Sequence, residues 1–109
     1  MNIKELVLEY FDAFENKNLD RLEIMFAENI SLQDWEISAK GKKEVINANK
    51  KIFSFVESIS ISPIKIYQDE RTVIAELKIL LNSNESFSVM DVIDFDEKGK
   101  ISAIKAYKR

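Results

Sequence analysis

Three polar side chains stand where the apolar pattern of this chain calls for hydrocarbon. In residues 85–106, ESFSVMDVIDFDEKGKISAIKA, the side chains of Phe87, Val89, Asp91, Ile93 and Phe95 share one strand face, because side chains alternate across a strand. Four of those five are large and apolar, and the middle one is a carboxylic acid. An ionised carboxylate is costly to bury alone, so Asp91 must be paired, protonated or lining a cavity. Tyr10 falls on the apolar stripe of a helix, and Asp34 falls on the apolar parity of the strand that carries Ile30 and Leu32. The chain has no histidine and no cysteine. Acid–base chemistry therefore falls to carboxylates, Tyr or Lys, and thiolate metal sites and disulfides are excluded. Neither a metal nor a cofactor is expected.

Each of these residues also has a plainer reading. Tyr10 fits a core tyrosine with its hydroxyl at the edge. Asp34 at a strand end can cap a turn. Asp91 can pair with Lys105 across a hairpin if the register allows it. Asn49, the polar exception on a third helix stripe, can be a satisfied core amide or can face a wet cavity.

The elements that position these groups follow from periodicity. Ile3, Leu6, Val7, Tyr10, Phe11 and Phe14 recur at helical spacing, with Lys4, Glu5, Glu9, Asp12 and Glu15 opposite. Asn16-Lys17-Asn18 breaks that helix, and Asn18 or Asp20 caps a shorter one burying Leu19, Leu22, Met25 and Phe26. Ala27-Glu28-Asn29 reads as a turn, residues 30–35 as a strand, and residues 36–40 as a loop. A third helix opens at Gly41 and runs to about Val56, burying Val45, Asn49, Ile52, Phe53 and Val56. From Ser58 the period is two. The apolar parity flips at Pro63, which predicts a bulge or kink, since proline has no N–H for a ladder. Val73, Ala75, Leu77, Ile79 and Leu81 form one strand face, and Asn82-Ser83-Asn84 turns into residues 85–95. The last strand, 100–108, offers Ile101, Ala103 and Tyr107 on one side and Ile104 and Ala106 on the other. Three helices, one early strand and a four-stranded antiparallel meander define a single α+β domain over residues 1–109, with helices against one face of a curved sheet.

The 109 residues are 46% hydrophobic and 32% charged, an ordinary globular balance. A net charge of −3 with scattered basic residues argues against nucleic acid as a partner. No run reaches the length of a membrane span, and the acids within the first apolar residues argue against a signal peptide, so the expected compartment is cytoplasmic.

The segments YFDAFENKNLDRLEIMFAENISLQD, AKGKKEVI and VIDFDEKGKISAIKAY, in this order, resemble the nuclear-transport-factor-like, SnoaL-like and ketosteroid-isomerase-like superfamily. The resemblance spans the whole chain and implies a cystatin-like cone: three N-terminal helices packed in a strongly curved, mainly antiparallel sheet. In site pattern the chain is most similar to the ketosteroid isomerase branch. That similarity implies Tyr10 and a protonated Asp91 as oxyanion donors and Asp34 as general base, with Asp91 eight residues before Gly99 as the pattern requires. It departs at two positions: Trp35 follows the base where a proline is usual, and Asn49 replaces a helix-three tyrosine. Phe14, Trp35, Asn49, Phe53, Phe87 and Val89 are the expected pocket residues. The expected function is a small-molecule isomerase or lyase acting on an apolar carbonyl compound. The alternatives are a non-catalytic binder of a hydrophobic ligand and a dimerising module. A homodimer through the open sheet face is expected in each case.

Overall fold

The computed structural model describes residues 2–109. Its first helix begins at Asn2, whose side-chain oxygen accepts the Glu5 N–H at 3.2 Å and so satisfies one of the orphan donors of α1 (Ile3–Glu15). This helix buries Ile3, Val7, Tyr10, Phe11 and Ala13. Lys17 takes a positive φ of 55° to reverse the chain. Asn18, the first of the two expected caps, accepts the Arg21 N–H at 3.1 Å and starts α2 (Leu19–Met25), where Leu22 is fully buried. α3 (Lys42–Phe55) buries Val45, Asn49 and Phe53. The Lys17 ammonium donates to the carbonyl of Phe53 at 3.1 Å and to that of Val56, closing the end of α3 from the α1–α2 joint.

Among the described residues, six strands make one mixed sheet: β1 (Phe26–Gln33), β2 (Ser38–Lys40), β3 (Ile59–Asp69), β4 (Thr72–Leu81), β5 (Glu85–Phe95) and β6 (Ile101–Lys108). Their order is β2-β1-β6-β5-β4-β3, with β1 parallel to β6 and every other pair antiparallel. The helices lie on one face, so the α+β class holds. β3 and β4 shift register between Pro63 and Lys65, which is the irregularity the proline requires. β3 is an edge strand, and Glu15 at the end of α1 accepts the Ile61 N–H at 2.7 Å, tying that edge to the helix.

Three local expectations change. Residues 27–29 are not a turn: β1 begins at Phe26, and its register against β6 shifts between Phe26 and Ser31. Residues 36–40 are not all loop, because Ser38–Lys40 pairs with β1 as β2. In β6, Ile101 and Ile104 are both buried, since the register shifts where Asp94 faces Ala103 and Phe95 faces Ile101. A bulge at Ser102 therefore merges the two expected faces.

Replacing Lys17 with Met removes the cation from the carbonyls of Phe53 and Val56. A loss of about 1–2 kcal/mol in urea unfolding is expected, with the slope against denaturant unchanged.

Candidate functional site

Between α1, α3 and the concave sheet face lies a cavity of about 350 Å³. Tyr10 and Phe14 reach it from α1, Asn49 and Ile52 from α3, Phe87, Val89 and Asp91 from β5, and Asp34 and Trp35 from the turn after β1. Tyr10, Asp34 and Asp91 therefore meet at one cavity. Of the expected pocket residues, Phe14, Trp35, Asn49, Phe87 and Val89 line it. Phe53 does not: it stands behind the wall, 8% exposed, edge-on to Phe14 with ring centroids 4.9 Å apart. Its stripe position marked it as buried, and only the axial rotation of α3 separates a wall residue from a backing one.

The β5 register explains the isolation of Asp91. Its cross-strand neighbours are Ala75 on β4 and Ala106 on β6, which bring neither a donor nor a charge. Lys105 faces Val92 instead and is exposed, so the structure does not form the Asp91–Lys105 pair. Asp91 is 8% exposed and, among the described residues, has no side-chain hydrogen bond or ion pair. Burial first, and the Asp34 charge second, push its carboxyl up to about 7. Tyr10, 6% exposed, has its phenol raised far above the usual range, by burial first and by Asp91 second. Asp91 thus feels the Asp34 charge, and Tyr10 that of Asp91.

Asp34 is half-buried just past the end of β1. One carboxylate oxygen, Oδ1, accepts the backbone N–H groups of Glu36 at 2.7 Å and Ile37 at 2.6 Å, and the Asp34 N–H donates to the Ile37 carbonyl at 2.9 Å. The turn-cap reading is therefore correct for one oxygen, and the turn fixes how the carboxylate presents the other.

The mouth is aromatic and charged. Trp35, 44% exposed, stands edge-on to Phe87 at 6.2 Å, and the Lys108 ammonium lies 4.6 Å from the Phe87 ring centre and 5.7 Å from that of Trp35. Glu36 and Glu85 complete the lining there. Lys108 is a pocket residue that sequence reasoning missed, because a lysine at the end of a last strand has no periodic signature. Among the described residues, no group of three or more His, Cys, Asp or Glu side chains is placed to hold a metal ion.

The sequence profile of the SnoaL-like domain matches residues 7–104, and the chain belongs to that family. A protein described as a SnoaL-like polyketide cyclase, from Shewanella denitrificans, superposes with a TM-score of 0.88 at 11% identity, over 98% of this chain and 90% of that one. A protein described as a ketosteroid isomerase, from Kribbella flavida, gives 0.85 at 12% identity, over 98% and 77%. An LEH-like epoxide hydrolase of M. tuberculosis gives 0.84 at 16% identity, over 96% and 80%. At these identities the likeness shows the NTF2-like fold alone. Comparison with curated proteins finds no match.

Because the Asp91 carboxyl titrates near 7 in the fold and near 3.8 when exposed, the native state holds the extra proton between those values. Its contribution to stability is therefore full below about pH 4 and is lost as pH rises through about 7. Asp91→Asn, neutral at all pH, is expected to remove a fall of up to about 4 kcal/mol across that window. Denaturant unfolding of both proteins at pH 4 to 8 checks it, and parallel pH profiles would contradict it.

Proposed function

We propose that this protein is a small-molecule isomerase or lyase that moves a proton beside the carbonyl of an apolar compound. The observation that carries the reading is a buried, uncompensated carboxyl, Asp91, beside a buried tyrosine in an apolar cavity. A protonated Asp91 and the Tyr10 hydroxyl each donate to the carbonyl oxygen, and both bonds strengthen as that oxygen gains charge in the enolate. Asp34 takes the proton from the neighbouring carbon through the oxygen its turn leaves free and returns it to another carbon, so no atom is gained or lost. Phe14, Trp35, Phe87 and Val89 supply the apolar walls, which keep water from quenching the enolate. Two carboxyls in unlike surroundings can hold opposite protonation states, which is what this division of labour needs.

The capped Oδ1 of Asp34 favours a second reading, in which the same cavity binds a hydrophobic ligand without turnover. Conversion of 3-cyclohexenone to its conjugated isomer, followed by absorbance, separates the two. Asp34→Asn keeps an oxygen for the Glu36 and Ile37 N–H groups but loses the basicity. A fall of about 10²–10⁴-fold in kcat with an unchanged melting temperature is expected. An Asp34→Asn protein as fast as wild type would remove Asp34 as base, and a wild type that binds but never converts enones would leave the binding reading.

A homodimer through the outer sheet face is part of the same proposal. The β4 face that carries Val73, Ala75 and Leu77 points into the core and is not available to a partner. The outward set is Tyr67, Ile74, Met90 and Tyr107, all exposed: Tyr67 faces Ile74 across β3–β4, Met90 faces Tyr107 across β5–β6, and Ile74 and Met90 are diagonal neighbours across β4–β5. Sedimentation is expected to give twice the 12.7 kDa chain mass, and a species at the chain mass would refute the dimer.

A further inference from the structure

Asn49 has a role the proposed proton transfer does not use. It lines the cavity from α3, is 2% exposed, and its side-chain nitrogen is buried with no hydrogen-bond partner among the described residues. One helical turn to either side are Val45 and Phe53, both buried hydrocarbons, and Ile52 joins Asn49 in the cavity wall. A leucine would suit that stripe, since a buried amide without a partner destabilises the free protein. The helix offers no relief, because its carbonyls in this stretch serve its own ladder. Rotation about the last side-chain bond turns either end of the amide toward the cavity, so a bound molecule can supply the missing acceptor.

That acceptor is not the carbonyl of the proposed reaction. A carbonyl oxygen has two lone pairs, and Tyr10 and protonated Asp91 fill both. We propose that Asn49 donates to a second oxygen of the bound compound, so that the substrate is an apolar skeleton carrying two oxygen functions, one carbonyl and one hydroxyl or further carbonyl. The cavity, about 350 Å³, suits a skeleton of one or two fused rings. This inference rests on the assignment of Tyr10 and Asp91 as carbonyl donors. Asn49 thereby selects among substrates and is a positioning residue for the reacting carbonyl.

The test is binding, independent of turnover. The affinities of 2-naphthol and of a set of dihydroxynaphthalene isomers, whose second hydroxyl samples different distances, are measured by calorimetry at pH 6 for wild type and Asn49→Leu. At least one isomer is expected to bind wild type about 5- to 10-fold more tightly than 2-naphthol, and that ratio of affinities is expected to fall to about one in Asn49→Leu, whatever the change does to 2-naphthol itself. The melting temperature of Asn49→Leu is expected to rise by about 3–8 °C, since a stranded amide is replaced by hydrocarbon. If the Leu variant does not fold, Asn49→Ala carries the same affinity comparison. No gain for any isomer in wild type, or a gain that survives in the variants, overturns the role of Asn49 and leaves the donor assignment standing. Failure of 2-naphthol itself to bind wild type overturns the donor assignment and this inference with it.

Discussion

Burying a carboxyl among hydrocarbon without a counter-charge is tolerable only for its neutral form, and this condition organises the concave face of the sheet. Asp91 sits mid-strand between Ala75 and Ala106, so neither neighbouring strand offers a cation or a donor. Lysines are placed nearby in sequence, yet Lys105 projects from the other face and Lys108 rests on the aromatic rings of Trp35 and Phe87 at the mouth. Of the two alanines that deny Asp91 a partner, Ala106 also lines the cavity beside it. An isolated acid and an open space are thus two results of one choice of side chains. The Asp34 charge acts in the same direction as burial, keeping the proton on Asp91 while Asp34 itself is held by backbone N–H groups.

The rest of the fold keeps that space open. A flat sheet covered by helices would close on its own core, whereas register shifts near Pro63, near Phe26 and at Ser102 bend these strands into a cup. α1 and α3 line the cup with Phe14 and Ile52 and seal its sides, while Glu15 and Lys17 fasten them to β3 and to each other. Below the cavity, Leu22, Phe26, Ile30, Ile93 and Ile101 form a dense floor, each almost wholly buried. Stability comes from that end of the cone, which leaves the open end free to carry stranded polar groups such as Asn49. Membership of the SnoaL-like family accounts for the shape. Fold alone does not account for these polar groups, which depend on individual side chains.

Much of this was legible in the sequence, for physical reasons that also mark where legibility stopped. Helices α1 and α3 announced themselves because their apolar stripes repeat over 13 and 14 residues. Asp91 was visible because strict alternation makes one polar residue conspicuous on an apolar face. Phe26 to Asn29 misled because two buried residues are followed by two exposed ones, a bulge pattern that matches neither period. β2 escaped because three residues are too few to show a period. The parallel β1–β6 pairing joins distant segments, and no local pattern records it. Asp34 showed its parity but not that its turn would claim one oxygen, and Phe53 showed its burial but not that Phe14 would stand in front of it.

The proposed chemistry turns on the protonation state of a single carboxyl, and that state can be read directly. In protein labelled with ¹³C at aspartate, the Asp91 side-chain carboxyl resonance is followed from pH 3 to 9 in wild type and in Asp34→Asn. A midpoint close to 7 in wild type, moving downward once the Asp34 charge is removed, is the expected result. A midpoint near 4 in both proteins would show an ordinary solvated carboxylate, and the cavity would lose its acid.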